Sequence, residues 1–198
     1  MYCGLGTWTT AGSVGSRSSL ATGGEPVALS AMPIYPIRTF PDPVLGMKAS
    51  TITSFDDELA KLADDMLETM YDAPGVGLAA PQIGISKRIF VADIGEGPFV
   101  MVNPEIAEVD GKWKFEEGCL SVPGRYWHIK RPDYARAVGQ DLDGNAVEFD
   151  GDELMGRVLQ HEIDHLNGTL LLERLPNRVR KAALAELRSE SLGPPPRH

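Results

Sequence analysis

The sequence predicts a single α+β domain. Helix and strand patterns occur in mixed order, two pairs of strand patterns flank turn signals that indicate antiparallel pairing, and no internal repeat is visible. The 198 residues also fit around one hydrophobic core, which serves chains of up to about 250–300 residues.

Composition excludes several classes of protein. Apolar residues make up 42% and charged residues 24% of the chain, which is typical of a folded globular domain. A formal charge of -9 argues against a protein that coats duplex DNA or an anionic membrane. No stretch approaches the roughly 18 apolar residues of a membrane-spanning helix. Cys3 and Cys119 are too few for a disulfide framework, so we expect a reducing compartment, the cytoplasm.

Both ends of the chain differ from its middle. Residues 1–31 contain six Gly, five Ser and four Thr with two charges, and they lack the pattern of a secretory signal. We predict a disordered extension there, and our hypothesis is that the functional chain begins at Met32. The folded domain is predicted over residues 32–189, and the Gly-Pro-rich end predicts a disordered tail over 190–198.

The first predicted helix begins at a capping pattern. Ser54 followed by Asp57 fits a capping box, and Pro74 and Gly75 end a helix that reaches about Tyr71. Between them, apolar residues recur at spacings of three and four, which predicts one buried stripe. These residues are Leu59, Leu62, Met66, Leu67 and Met70.

Two hairpins are predicted after this helix. In residues 87–109, strand-forming side chains flank a Gly-Pro turn at 95–98. In residues 134–150, Asp143 and Gly144 form a strong tight-turn signal between alternating apolar and polar residues. Both patterns predict antiparallel strands.

The second helix, beginning near Asp152, carries two histidines on its apolar stripe. Leu154, Val158, His161 and His165 follow one another at steps of four, three and four, so both imidazoles should point to the core. Helical residues four apart are neighbours at about 6 Å, and two such imidazoles can bind one metal ion.

Glu162 adds the chemistry of proton transfer. A carboxylate between the two histidines can take a proton from water at the metal and return it to a leaving group. The plain structural alternative is a pair of hydrogen-bonded core histidines. Imidazoles buried without partners would cost about 1–3 kcal/mol each, and a metal ion removes that cost.

The third protein ligand of the metal decides the class of enzyme. An elongated metalloprotease pattern needs a histidine at the position of Leu171, so that class is excluded. Proteases with a distant glutamate ligand stay open, with Glu173 or Glu186 as candidates. The other candidate is Cys119, beside Gly118, which permits close backbone approach.

Three short segments follow one another along the chain: Gly75-x-Gly77-x-Ala79-Ala80-x-Gln82, Glu117-Gly118-Cys119-Leu120-Ser121 and His161-Glu162-x-x-His165. In this order they resemble the peptide deformylase family, and the similarity runs from about residue 34 to residue 175. The resemblance implies an α+β fold with antiparallel sheets around the helix of the third segment. It also implies a hydrolase that removes the N-formyl group from the formylmethionine of new polypeptides and releases formate.

The same resemblance implies the roles of individual residues. The metal is expected to be Fe(II), with Zn(II), Ni(II) or Co(II) possible, on Cys119, His161 and His165. Glu162 is implied as general base and acid. The Gln82 side-chain amide and the Leu120 backbone amide are implied as donors to the oxyanion of the tetrahedral intermediate.

Residues around this site complete the expectations. Glu117 and Arg131 resemble a pair that braces the second segment, whereas Arg157 is expected to reach outward to water and His128 to lie at the surface or rim. The pocket for the methionyl side chain should be apolar. Its candidate residues are Val76, Gly77, Ile83 and Val158.

The partners are expected to be nascent formylated peptides, with neither DNA nor membrane. A final helix over about residues 176–189 is basic, and it is interpreted either as a solvated face or as a surface that docks on ribosomal RNA. The basic residues of this helix are Arg178, Arg180, Lys181 and Arg188. A noncatalytic homologue that binds peptide N-termini is the alternative from another class.

Overall fold

The computed structural model describes residues 33–191. Its two antiparallel sheets and three α-helices confirm the predicted α+β class. The predicted extension over residues 1–31 lies outside the described residues, as does most of the predicted tail over 190–198. No helix within the described range combines the length and apolar character needed to cross a membrane.

Seven strands build the two sheets. They are β1 (Gly77–Ala79), β2 (Ile89–Ala92), β3 (Phe99–Asp110), β4 (Trp113–Cys119), β5 (Val122–Arg131), β6 (Tyr134–Gln140) and β7 (Ala146–Gly151). Five of them form one sheet in the order β1-β2-β3-β6-β7, and β4 pairs with β5 in the second sheet. The predicted hairpins are confirmed as β2 with β3 and β6 with β7.

The three helices are α1 (Asp57–Asp72), α2 (Glu153–Leu166) and α3 (Asn177–Ser191). The capping residue predicted for α1 is wrong by two positions. The Asp56 carboxylate accepts the backbone N–H of Leu59 at 3.0 Å, whereas the Ser54 hydroxyl donates to Asp56 at 2.6 Å. Asp56 stands directly before the first helical turn, so its side chain reaches the free amide and Ser54 supports it.

The core has three parts. One cluster fills the space between α1 and one face of the large sheet, and includes Val91. A second lies between the opposite face and α2, and includes Phe90 and Leu159. A third joins β5 to the chain after α2 through Ile129 and Leu172. Neighbouring residues of β2 therefore serve opposite faces, as expected for a strand covered on both sides.

Helix α2 lies at the centre of the molecule. Every residue from Gly156 to Leu166 is buried. Near its start, a side chain on Gly156 would place its Cβ only 2.4 Å from the carbonyl oxygen of Asp133 and 2.6 Å from that of Gly151. The missing side chain thus lets the helix lie directly on the backbone at the edges of β6 and β7.

Candidate active site

Three potential metal ligands from β4 and α2 converge in the interior. The Nε2 atom of His165 lies 3.2 Å from the Sγ atom of Cys119 and 3.2 Å from the Nε2 atom of His161. The three ligand atoms lie within 4.8 Å of one another, and all three residues are buried. Among the residues that the structure describes, this is the only such group of three.

The donor set fits a tetrahedral divalent cation. With metal–nitrogen bonds of about 2.0–2.1 Å and a metal–sulfur bond of about 2.3 Å, two nitrogens should lie about 3.3 Å apart and sulfur about 3.6 Å from each. The observed 3.2 Å between the two Nε2 atoms matches, and the 3.2 Å between Sγ of Cys119 and Nε2 of His165 is a few tenths of an ångström shorter than the expected distance. Three protein ligands would leave a fourth position for water or substrate, as in catalytic zinc sites.

Charges inside the site favour a cation. Burial opposes ionisation of the Cys119 thiol, but His165 and His161 outweigh it and hold its pKa well below the usual value. Burial likewise opposes a proton on His161, but Cys119 and Glu117 raise its pKa to about 10. The negative charges that raise this pKa would also attract a divalent ion.

Glu117, buried on β4, orients one of the two imidazoles. Its Oε1 atom accepts a hydrogen bond from Nδ1 of His161 at 2.7 Å, which leaves Nε2 of that ring to face the other ligands. Arg131 donates to both carboxylate oxygens, at 2.9 and 2.7 Å. Burial opposes the charge of Glu117, but His161 and Arg131 hold its pKa well below the usual value.

The prediction that Arg157 reaches outward is wrong. Its side chain is fully buried, and Nη1 donates to Oε2 of Glu117 at 2.6 Å. Its guanidinium carbon lies 4.8 Å from the centroid of the Trp113 ring. The Glu117 carboxylate and the backbone carbonyls of Trp113 and Ile129 accept hydrogen bonds from the guanidinium, so its charge is paired in the interior.

Glu162 has no hydrogen-bond partner within the described range. Both carboxylate oxygens are fully buried, which is costly for an ionisable group unless a ligand or water completes its contacts. The carboxylate lies against Gly77, where a Cβ atom would approach Oε1 to 2.4 Å. Gly77 therefore provides the space that Glu162 occupies.

Gln82 is held with its amide nitrogen toward the thiol. Its Oε1 atom accepts the backbone N–H of Ala79 at 2.8 Å, while Nε2 lies 3.4 Å from Oγ of Ser121 and 3.8 Å from Sγ of Cys119. Leu120 directly follows Cys119, in the two-residue turn between β4 and β5.

The predicted pocket residues are only partly brought together. Val76 and Val158 pack in the same core cluster, next to α2. Ile83 packs in the cluster on the α1 side of the sheet. His128 is exposed, as expected.

Neither glutamate proposed as a distant metal ligand joins the site. Glu173 pairs with Arg180 at 3.6 Å, and Glu186 pairs with Arg125 at 2.8 Å. Among the described residues, Cys119 is the third potential ligand that lies close to both histidines. The distant-glutamate alternative therefore has no support in the structure.

Two functional features were missed in the sequence. The strands β4 and β5 were not predicted, although Trp113, Lys114, Phe115 and Glu116 alternate in the way that indicates a strand. Asp164 also received no role. Its carboxylate accepts a hydrogen bond from Arg131 at 2.8 Å and also pairs with Arg174.

Comparisons with known proteins agree on one family. A family profile described as polypeptide deformylase matches residues 34–181. The peptide deformylase of Clostridium botulinum is 50% identical over 143 residues, which cover 72% of this chain and 97% of that protein. The peptide deformylase of Acidobacterium capsulatum is 47% identical over 162 residues, covering 79% and 95% respectively.

Solved structures give the same result. The crystal structure of a peptide deformylase from Legionella pneumophila is similar with a TM-score of 0.75 and 43% identity, covering 82% of this chain and 100% of that one. The Synechococcus elongatus peptide deformylase, solved in complex with actinonin, gives a TM-score of 0.74 and 38% identity, covering 80% and 90%.

Proposed function

The chain belongs to the polypeptide deformylase family, and from this premise we propose which residues perform its reaction. The protein is a metal-dependent hydrolase that removes the N-formyl group from newly synthesised polypeptides. One observation carries the assignment of the site: Cys119, His161 and His165 converge in the interior, and the adjacent residue Glu162 has a buried carboxylate with no hydrogen-bond partner among the described residues.

We propose that these three ligands hold Fe(II) in the native enzyme. A divalent cation bound there would act as a Lewis acid that acidifies water and polarises the formyl oxygen. The thiolate and two neutral imidazoles leave it a net charge of about +1, and Zn(II), Ni(II) and Co(II) suit the same donors. Oxidation of Cys119 would remove a ligand.

Glu162 is proposed to move the protons. Its carboxylate takes a proton from the attacking water and then delivers one to the departing amine, so the same group serves as base and acid. Neither oxygen has a hydrogen-bond partner in residues 33–191, which supports this role because both can accept from water and substrate.

The Gln82 amide is proposed, together with the Leu120 backbone amide, to stabilise the oxyanion. We expect Gln82→Leu to lower kcat by about 10²–10³ with little change in KM, because the donor acts mainly in the transition state. Steady-state formate release from a formyl-Met peptide measures both constants. The matched control is Ser121→Ala, which removes the 3.4 Å contact to Gln82 but keeps the donor. A rise in KM with unchanged kcat would contradict the proposed role of Gln82 as an oxyanion donor.

The methionyl side chain is proposed to bind near Val76, Gly77 and Val158. Val158 belongs to one apolar cluster and Val76 packs against the same cluster, while Gly77 leaves room at Glu162. Ile83 is not included because it packs on the α1 side of the sheet.

An assay of the full-length, anaerobically purified protein tests the activity as a whole. A formyl-Met peptide and its N-acetyl counterpart are compared for release of formate or acetate, respectively, and for cleavage at internal peptide bonds. The proposed enzyme releases formate from the first peptide and no acetate from the second. Cleavage of internal bonds would indicate a protease, and binding without release of formate would indicate a noncatalytic homologue.

The cytoplasm is proposed as the compartment, because Cys119 is a free thiol.

The basic face of α3 is proposed to contact the ribosome. Arg178, Lys181 and Arg188 are exposed and lie on one face of the helix at spacings of three and seven. In the part of the chain that the structure describes, no ion pair involves these three side chains. The two glutamates of α3 pair instead with Arg125.

Charge reversal tests this contact. We expect the triple change of Arg178, Lys181 and Arg188 to Glu to lower cosedimentation with ribosomes at low salt, while the wild-type complex weakens as salt rises. The control reverses three exposed lysines elsewhere, Lys112, Lys114 and Lys130, which changes the net charge equally. Equal binding by the α3 variant and the wild type would exclude this face.

A further inference from the structure

A single carboxylate on β4 contacts α2 at two residues one turn apart. Oε1 of Glu117 accepts the hydrogen bond from His161, and Oε2 accepts the one from Arg157, at 2.7 and 2.6 Å respectively. Residues four apart lie on the same face of a helix. The flat carboxylate therefore bridges two neighbouring positions of the helix that carries both histidines.

Arg157 is itself fixed by the small sheet. Its Nη2 atom donates to the carbonyl oxygen of Trp113 on β4 at 3.2 Å, and Nη1 also donates to that of Ile129 on β5 at 3.4 Å. The guanidinium lies over the Trp113 ring, an arrangement that favours a cation further when water is excluded. The side chain thus joins α2 to both strands of the β4–β5 hairpin.

Arg131 secures the opposite end of the same contact. It holds Glu117 within the hairpin and donates to Asp164 on α2 at 2.8 Å. Asp164 follows His161 by three residues, whereas Arg157 precedes it by four. The orienting imidazole contact therefore lies between two charged anchors, with Arg157 on its N-terminal side.

We propose that Arg157 is a positioning residue of the metal site, acting through Glu117. It holds the carboxylate so that His161 presents Nε2 to the cation. It also holds β4 against α2, so that Cys119, two residues after Glu117, stays within reach of both imidazoles. This inference rests on the proposed metal site, and its test separates the two.

The test uses the full-length protein loaded with Co(II). The visible absorption spectrum reports the geometry and thiolate ligation of the ion, and its loss to excess chelator gives a rate. We expect Arg157→Met to alter the spectrum and to speed metal loss by about 10-fold, because changes to groups that orient metal ligands typically cost 10–100-fold. Arg157→Lys keeps a charge near Oε2, so its rate of metal loss should lie between those of Arg157→Met and the wild type.

Arg88→Met is the matched control. Arg88 is also buried, but it donates to the backbone carbonyls of Leu166 and Pro104 and does not contact Glu117. We expect this variant to lower Tm while leaving the Co(II) spectrum and the rate of metal loss unchanged. A general loss of stability is thereby separated from a change at the metal.

A double variant tests whether Arg157 acts through Glu117. In the Glu117→Gln background, Arg157→Met should produce no further change in the rate of metal loss, and additive effects would overturn the inference. An unchanged rate and spectrum in Arg157→Met would overturn it as well. If Arg157→Met does not fold, the Arg157→Lys variant is measured instead, and a rate of metal loss equal to that of the wild type would overturn the inference. Failure of the wild type to bind Co(II) would instead refute the metal site itself.

Discussion

Glu162→Ala keeps its metal and loses turnover. We expect kcat for deformylation to fall by about 10²–10⁴, the usual contribution of a general acid–base group. Neither oxygen of Glu162 has a hydrogen-bond partner among the described residues. Their removal leaves none of those donors unsatisfied, and we expect Tm to stay the same or rise. Formate release, metal content and thermal unfolding of the same preparation measure the three effects.

Glu162→Gln is the matched variant for this prediction. It keeps the size of the side chain beside Gly77 but removes its capacity to carry a proton, so it should lose as much activity as the alanine variant. Near-normal turnover by either variant with metal bound would show that another group moves the proton. A loss of metal in both variants would show that Glu162 is needed to build the site.

Cys119→Ala should abolish both metal retention and activity. The thiolate is one of the three groups that can coordinate the ion, and its loss leaves two imidazoles, which do not form a closed set of three. The fall in metal affinity should exceed the roughly 10–100-fold cost of changing a residue outside the ligand set. Metal per protein after gel filtration, together with formate release, tests this.

Cys3→Ala provides the control, because Cys3 is the other cysteine of the chain. It should retain metal and full activity, which separates the loss of a ligand from the loss of a thiol in general. Full metal content in Cys119→Ala would refute the predicted ligand set and would reopen the search for a distant glutamate ligand.

Periodicity made most of the fold predictable. The hairpin at Asp143 and Gly144 needs a turn with positive φ, and Gly144 has a φ of 84°, so the sequence marks it clearly. The β4–β5 turn at Leu120 and Ser121 uses no such conformation, since the described non-glycine residues with positive φ are Asn103 and Glu153. The hairpin that bears the thiol ligand therefore has no turn signal.

The metal ligands were predictable from short motifs, whereas their supports were not. His161 and His165 are neighbours through helical spacing alone. Arg157 lies on the same helix, and its burial depends on Glu117, which is 40 residues earlier in the chain. The prediction that Arg157 reaches water failed because its partner is brought close only by the tertiary fold.

The convergence of Cys119 with His161 and His165 has a consequence for the lifetime of the folded chain. A cation shared by β4 and α2 acts as a reversible cross-link between two segments that are distant along the chain. By mass action, the stability it adds grows with the logarithm of free metal concentration. Metal scarcity would then lower activity in two ways. Metal-free molecules would be inactive, and a larger fraction of molecules would be unfolded and degraded.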